Sequence, residues 1–254
     1  MPVEHPIQHC VSFSDLRALA PNDSFELIGP EAHHAARVKR IRIDQQVGVL
    51  DGQGRIGIGY VRGIAKSKSK PSITIELQTI EVFGPISPRV EIWSALPKGD
   101  RLDRMIDQLT QLGVSTFRPL LCDRSQRKPE TIRQDKLERI VIEAAKQCHR
   151  PWNLKIDDPI TFAQAINDPD VVLADASGDS WLGLEGSNTR IVLLIGPEGG
   201  WSDAERAQIN ATQVRMIRFG VFVLRIEAAA CAASSVVLSR APAGQGRESE
   251  RNPI

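Results

Sequence analysis

The chain has 254 residues, 41% of them hydrophobic and 25% charged, and a formal net charge of +1. This balance predicts a globular protein with a sizeable core in one large or two ordinary domains, and it excludes a uniformly basic nucleic-acid binder. Because no apolar run approaches the roughly 18 residues of a membrane span and the four cysteines are widely spaced, we expect a cytoplasmic protein with reduced thiols and no membrane partner.

Residues 1–84 are predicted to form a small β-rich domain. Residues 47–50 and 55–61 flank an Asp-Gly turn and predict a hairpin, and alternating apolar residues over 72–82 predict a further strand. Frequent glycines favour a tightly curved barrel. Two basic clusters accompany the hairpin: Arg37, Lys39, Arg40 and Arg42, and then Lys66, Lys68 and Lys70. Such clusters are either a solvated face or RNA phosphate contacts, and their pairing in one small barrel favours RNA.

Prolines and a glycine over 83–88 indicate a domain boundary, and strands alternate with helices over 85–241. Predicted strands cover 90–96, 114–121, 171–174, 191–195 and 216–219; predicted helices cover 101–112, 131–149 and 227–239, and another begins at 203. This order predicts an α/β domain with a mostly parallel sheet and helices on both faces. Residues 242–254 are predicted to be a disordered tail.

The most informative stretch is IVLLIGPEGGWSDAE, residues 191–205. A buried strand ends at Gly196-Pro197, Gly199-Gly200 permits unusual backbone conformations, and Ser202 with Glu205 forms a capping box that begins a helix. Strand, glycine loop and helix are typical of a ligand site at the carboxyl edge of a sheet, although such a loop by itself is as often only a turn. Glu198 and the missing phosphate-binding lysine favour a neutral or cationic ligand.

The segments IGPEGGWSDAE and FGVFVLRIEAAACAA together resemble the paired signature of the SPOUT class of methyltransferases, in particular the bacterial 16S ribosomal RNA (uracil) N3-methyltransferase family. LPKGDRLDRMIDQLTQLGV resembles the first strand and helix of that family, and EAAKQCHR resembles its E-A-x-x-Q-x-x-R segment. HHAARVKRIR with VLDGQG resembles its N-terminal PUA-like barrel. The resemblance extends from about residue 30 to 240, in the family's order.

The resemblance implies a C-terminal SPOUT-type parallel sheet tied in a trefoil knot, a homodimer and bound S-adenosylmethionine. The substrate would be a uridine in the decoding region of 16S rRNA in the small ribosomal subunit. The implied cofactor-binding residues are Leu194, Ile195, Gly196, Pro197, Glu198, Gly199, Gly200, Phe219, Gly220, Val223, Leu224 and Arg225. The candidate RNA-binding residues are Arg37, Lys39, Arg40, Arg42, Arg124, Gln147 and Arg150.

Methyl transfer to uracil requires removal of the weakly acidic N3 proton and an in-line approach of N3 to the methyl group. The base must be flipped or single-stranded, because N3 lies on its pairing edge. Arg225 is a candidate to stabilise charge on O2 or O4, and Glu227 or Glu198 to accept the proton or position a water. Glu227 also has a structural explanation, since a carboxylate is favoured at a helix start.

The chain departs from the family pattern at two positions, Phe222 in place of an arginine and Ala228 in place of a threonine. A catalytically silent RNA-binding or ribosome-assembly protein is therefore an alternative. Another nucleotide-binding enzyme is disfavoured, because neither a Walker lysine nor G-x-G-x-x-G is present. The adjacent Cys148 and His149 would point about 100 degrees apart on a helix, so we expect no metal site.

Overall fold

The computed structural model describes residues 7–65, 71–181 and 189–239. Lys66, Lys68 and Lys70, and the predicted tail of residues 242–254, lie outside this range. The described residues divide into two compact units. Unit 1 contains the residues up to Pro85 together with Ala145–Asn153, and unit 2 contains Ile86–Ala144 and the residues from Leu154 onward.

Unit 1 contains the strands β1 (Cys10–Ser12), β2 (Ser24–Ile28), β3 (Gln46–Leu50), β4 (Arg55–Ala65) and β5 (Ser72–Val82). Within the described residues they pair in the order β1-β3-β4-β5-β2 and form a curled half-barrel. β1 and β3 are parallel, and the other pairs are antiparallel. The predicted hairpin is confirmed as β3 and β4, and the predicted strand over 72–82 as β5.

Irregular pairing between β4 and β5 bends this sheet. The register shifts between Ile58 and Gly59 and again between Val61 and Gly63. A Cβ at Gly59 would lie 2.6 Å from the carbonyl oxygen of Glu76, so glycine is required where the two backbones approach. The concave core contains Val47, Val49, Val61, Ile73, Ile75 and Leu77, all fully buried.

A short helical segment packs on this core and leads into the first basic cluster. Helix α1 (Gly29–His33) continues as a π-helical turn, His34–Val38. Ala32 and Ala35 are fully buried in the core of unit 1. The basic residues lie on the solvent-facing side of the segment and in the loop after it.

Residues Ala145–Asn153 join unit 1 through polar contacts. Lys146 Nζ donates to both carboxylate oxygens of Glu31 at 2.9 Å, and the Lys146 side chain is almost fully buried. The indole N–H of Trp152 donates to the carbonyl oxygen of Phe83 at 2.8 Å. These contacts attach the segment to the half-barrel, although it is distant from it in sequence.

Unit 2 contains a parallel sheet. Its strands are β6 (Arg89–Ser94), β7 (Thr116–Leu121), β8 (Lys155–Ile156), β9 (Ile160–Thr161), β10 (Val171–Ser180), β11 (Arg190–Ile195) and β12 (Arg215–Arg218). Six of them pair in the order β12-β10-β11-β6-β7-β8 within the described residues, and β9 pairs with β7. Every pair is parallel, which confirms the predicted α/β architecture.

Helices accompany the strands, as predicted. They are α2 (Arg101–Leu112), α3 (Gln134–Cys148), α4 (Phe162–Ala165), α5 (Asp203–Thr212) and α6 (Ile226–Leu238). Alternate residues of β11 enter two separate cores: Leu193 packs in a cluster with α2, α3 and α6, and Leu194 in a cluster with α4 and α5. The central strands are therefore covered on both faces. In the part of the chain that the structure describes, no helix is long and apolar enough to cross a membrane.

Element ends differ from the sequence-based predictions where tertiary contacts intervene. β6 ends at Ser94 instead of residue 96, and α3 begins at Gln134 after a 3-10 turn at Pro129–Thr131. β10 continues to Ser180 instead of ending at 174, with a register shift against β12 between Ala174 and Asp179. This irregular half of β10 contributes to the site described below.

Candidate active site

The glycine loop leaves the carboxyl end of β11 in the centre of the sheet. Gly200 has a φ of +70°, and its N–H donates to the carbonyl oxygen of Pro197 at 2.9 Å. A Cβ at Gly196 would lie 2.6 Å from the ring of Trp201, so glycine is required there. The predicted capping box is confirmed: Ser202 Oγ accepts from the Glu205 N–H at 3.1 Å, and Glu205 accepts from the Ser202 N–H at 2.7 Å.

The loop after β7 is hydrogen-bonded to this turn. The buried Glu205 carboxylate also accepts from the Asp123 N–H at 2.9 Å, and Ser202 Oγ donates to Asp123 at 2.5 Å. Arg124, predicted to bind RNA, donates from Nη1 to the carbonyl oxygen of Gly199 at 3.2 Å. Its exposed side chain therefore lies against the glycine loop.

A cavity of about 230 Å³ opens beside the glycine loop. Its walls come from this loop, from the segment after β12 and from the irregular part of β10. The predicted cofactor-binding residues that line it are Ile195, Gly196, Pro197, Glu198, Gly200, Phe219, Gly220, Val223 and Leu224. Leu194, Gly199 and Arg225 are outside the lining, and Leu194 is fully buried in the core. The structure thus brings together the two segments that the sequence proposed as one site.

Sequence analysis missed several residues of this wall. Asp175 and Ala176 line the cavity because β10 bulges there, and Arg206 and Arg218 contribute positive side chains. The available signal was Gly178, where a Cβ would lie 2.5 Å from the backbone of Met216, since a glycine inside a strand indicates a bulge or a close backbone approach. Asp175 Oδ1 accepts from both the N–H and the hydroxyl of Ser177, at 2.9 and 2.6 Å.

An arginine that the sequence analysis did not select joins the two candidate acids. Arg101 Nη1 lies 2.9 Å from Glu198 Oε1 and 3.6 Å from Glu227 Oε1. Glu198, one of the two candidate proton acceptors, is therefore paired with a guanidinium. The second oxygen of Glu227 is buried and has no hydrogen-bond partner among the described residues.

The segment before α6 is exposed and largely apolar. Val221, Phe222 and Val223 are 89%, 81% and 86% exposed, and Phe222 lines the cavity. Arg225 occupies the N-cap position of α6 with an exposed side chain, and Glu227 lies in the first turn of that helix. The two catalytic candidates therefore begin the helix that follows the second cavity loop.

The remaining RNA-binding candidates lie in unit 1. Arg37, Arg40 and Arg42 are exposed, whereas the half-buried Lys39 donates from Nζ to the carbonyl oxygen of Cys10 at 2.9 Å. Gln147 is exposed near the end of α3. Arg150 is only 9% exposed, and burial lowers the pKa of its guanidinium to about 10. Three of the four basic residues over 37–42 are thus exposed and accessible to a phosphate. The guanidinium of Arg150 is buried and is not accessible in this way.

Two family models match the sequence. An RNA methyltransferase domain matches residues 85–238, and an RNA methyltransferase PUA domain matches residues 27–70. Ribosomal RNA small subunit methyltransferase E of Synechocystis sp. is 30% identical over 238 residues, covering 87% of this chain and 77% of the relative. The enzyme of that name from Aquifex aeolicus is 29% identical over 212 residues, covering 80% and 89%.

Solved structures have the same fold. A ribosomal RNA small subunit methyltransferase E of Neisseria gonorrhoeae bound to S-adenosylmethionine superposes with a TM-score of 0.78 at 20% identity, covering 90% of this chain and 95% of that one. A methyltransferase of Legionella pneumophila in complex with the same cofactor gives 0.75 at 23% identity, covering 91% and 96%. Together with the match of the methyltransferase model over more than half of the sequence, these relatives establish that the chain belongs to the ribosomal RNA small subunit methyltransferase E family of RNA methyltransferases.

Proposed function

We propose that this protein transfers a methyl group from S-adenosylmethionine to N3 of a uridine in 16S rRNA of the small ribosomal subunit. The uridine is the one that the family methylates, position 1498 in the decoding region. The observation that carries the proposal is the cavity in which the glycine loop and the segment of residues 217–224 meet, because both halves of the family signature line it.

The residues around the cavity fit S-adenosylmethionine. Gly196 and Gly200 let the backbone approach a ligand closely, and backbone N–H and C=O groups there can bind an adenine or a ribose. Ile195, Leu224 and Ile226 supply apolar wall for an aromatic base. Glu198 and Asp175 place negative charge near a ligand that carries a cationic sulfonium, while Arg206 and Arg218 suit its carboxylate.

When bound, S-adenosylmethionine supplies an electrophilic methyl group. The N3–C bond forms as the S–C bond breaks, and the N3 proton must leave. We assign proton acceptance to Glu227, directly or through a water, and stabilisation of the charge on O2 or O4 to Arg225. Both residues begin α6, next to the cavity wall formed by Leu224 and Ile226.

RNA contacts are assigned to both units. Arg37, Arg40 and Arg42 meet phosphates by charge, and Lys39 contributes from a fixed position beside Cys10. Gln147 and Arg150 are assigned to the base or backbone of the RNA. Because Arg150 is buried, its contact requires a local rearrangement that exposes the guanidinium. Arg124 contacts RNA from the edge of the glycine loop. The target base enters single-stranded or flipped, because N3 is otherwise paired.

The assembly is proposed to be a cytoplasmic homodimer with a trefoil knot in unit 2, as the family resemblance implies. The apolar exposure of Val221 and Val223 supports a second copy of the chain, since exposed apolar segments mark interaction sites. The second candidate function, a catalytically silent RNA binder, is favoured by Phe222 and Ala228 alone.

The test is incubation of the protein with methyl-labelled S-adenosylmethionine and unmethylated small ribosomal subunits, followed by mapping of the labelled nucleotide. We expect one label, at N3 of a decoding-region uridine, and transfer at least 100-fold slower but still measurable with Glu227→Gln at equal cofactor occupancy. Cofactor binding without any label in the wild-type protein would contradict the proposal and favour the silent RNA binder.

A further inference from the structure

Among the ion pairs of the described residues, only those of Arg101 connect three elements next to the cavity. It begins α2, whereas Glu198 belongs to the glycine loop and Glu227 to the first turn of α6. The Arg101 side chain is 24% exposed, and the two carboxylates are 28% and 19% exposed. The cluster is thus partly shielded from water, which strengthens its electrostatic interactions relative to a surface pair.

The arginine is needed to balance the negative charges of the two carboxylates in this cluster. Both carboxylates approach the same guanidinium nitrogen, at 2.9 and 3.6 Å. Without Arg101 the two negative charges would have no cation between them and would repel each other. The planar guanidinium presents five donors and reaches two acceptors at once, which the single point charge of a lysine does less well.

The orientation of Glu227 makes this contact relevant to the reaction. Its Oε1 faces Arg101, while its Oε2 is buried without a hydrogen-bond partner in the described chain. A buried carboxylate oxygen in that state has an unused capacity to accept a proton or a water hydrogen. Arg101 is therefore the ion-pair partner of one oxygen, and the other oxygen is left for a donor.

We propose that Arg101 is a positioning residue for methyl transfer: it orients the Glu227 carboxylate as proton acceptor, and it holds the glycine loop through Glu198. This inference rests on the proposed function, in which Glu227 accepts the N3 proton. Arg101 acts through the two glutamates and does not itself contact the reacting atoms.

The experiment compares Arg101→Met and Arg101→Lys with Arg104→Met. Arg104 lies one turn later on α2, pairs only with Asp100 in the described structure and is 72% exposed, which makes it a matched control. Two quantities are measured: the dissociation constant of S-adenosylmethionine, and the single-turnover rate of methyl transfer to small subunits at saturating cofactor and RNA.

For Arg101→Met we expect a rate at least 100-fold lower at saturation, with the cofactor dissociation constant raised less than 10-fold. Added guanidinium ion restores part of that rate, and Arg101→Lys, which keeps the charge, loses about 10-fold. Arg104→Met behaves as wild type. A structural role alone would lower thermal stability and cofactor affinity, and it would not produce a saturating-rate defect that guanidinium rescues.

A double-mutant cycle completes the test. In a Glu227→Gln background, adding Arg101→Met should produce no further loss of rate, because the two residues act as one unit. Independent, multiplicative losses would overturn the proposal, as would an Arg101→Met rate equal to wild type at saturation. If Arg101→Met does not fold, the same cycle with Arg101→Lys decides. Absence of uridine N3 transfer by the wild-type protein would instead overturn the proposed function.

Discussion

At the scale of single residues, the glycine loop is restricted most tightly at its first position. Gly196 directly follows β11, and a Cβ there would lie 2.6 Å from Cζ2 of Trp201. The Trp201 ring cannot easily move away, since it is 3% exposed and packs against Phe162 with ring centroids 5.0 Å apart. A methyl group at this position must therefore displace the loop or the core.

We predict that Gly196→Ala raises the dissociation constant of S-adenosylmethionine at least 10-fold and lowers the free energy of unfolding by about 1 to 3 kcal/mol, since overpacking forces the cavity wall to shift. Calorimetric titration and denaturant unfolding measure the two effects. Gly84→Ala is the control, because a Cβ at Gly84 meets no atom within 4 Å. Equal cofactor affinity in Gly196→Ala and wild type would show that the added methyl group does not shift the cavity wall, and would contradict this account.

Residues of the site were predictable where their partners are close in sequence. Ser202 and Glu205 are three residues apart, so their capping box could be predicted from sequence spacing. Arg101 and Glu198 are 97 residues apart, and no local pattern links them. Arg124 was selected for its charge alone, and only the fold shows that it contacts Gly199. Charge identifies candidate residues, but the tertiary partner decides their role.

At the scale of elements, an ionic network holds together the first residues of β6 and β11. Glu91 is 5% exposed and accepts from Arg190 Nε and Nη2 at 2.9 and 3.2 Å, from Arg89 at 2.9 Å and from the indole of Trp93 at 3.1 Å. Arg190 also pairs with Asp168 at 3.0 Å. Every oxygen of the buried carboxylate is thus satisfied, on the opposite edge of the sheet from the cavity.

We predict that Glu91→Gln lowers the free energy of unfolding by about 2 kcal/mol at neutral pH, because Arg190 loses a buried partner and keeps only its aspartates. Burial alone would raise the pKa of Glu91, but hydrogen bonds from Arg190 and Arg89 outweigh it and hold the pKa below its usual value. Such a depressed pKa contributes stability that is present above the unfolded-state pKa and lost as pH falls through the folded-state pKa.

The stability difference between wild type and Glu91→Gln should therefore be constant above about pH 6 and shrink as the pH falls below about 4.5. Thermal melts over this range measure it. Asp135→Asn is the control: Asp135 pairs with Arg133 and Arg139 on the exposed face of α3, and its loss should leave the melting temperature unchanged. A difference between Glu91→Gln and wild type that grows on acidification would contradict this account.

Element order was predictable and element detail was not. The helical period of the apolar residues identified α2, and a run of five apolar residues identified the buried strand β11. Gly113 ends α2 in the left-handed conformation expected of a C-terminal glycine. The second half of β10 carries few buried residues, so alternation could not reveal it. Its pairing with β12 is a tertiary effect, and the register shift that precedes it, between Ala174 and Asp179, is where Asp175 reaches the cavity.

At the scale of the whole molecule, the candidate cofactor cavity and the main basic cluster belong to different units. All residues that line the cavity belong to unit 2, whereas the cluster Arg37, Arg40 and Arg42 belongs to unit 1. The sequence could not reveal that Ala145–Asn153 joins unit 1, because the pair that attaches it, Lys146 with Glu31, is 115 residues apart. Since the net charge is only +1, RNA affinity must come from such local clusters.

Replacing Arg37, Arg40 and Arg42 together by glutamine should therefore weaken binding to small subunits while leaving the cofactor dissociation constant within twofold of wild type. In single-stranded RNA each neutralised phosphate contributes roughly 0.7 to the steepness with which the logarithm of the binding constant falls with the logarithm of the salt concentration. If each arginine neutralises one phosphate, the magnitude of this slope therefore decreases by about 2 in the triple variant. The charge-matched control replaces Arg104, Arg133 and Arg139, which are exposed and pair with aspartates in unit 2. We expect its salt slope to match that of wild type. Equal slopes for all three proteins would mean that the cluster in unit 1 is a solvated face. Because both variants have the same net charge, a change confined to the first variant would place the phosphate contacts on unit 1.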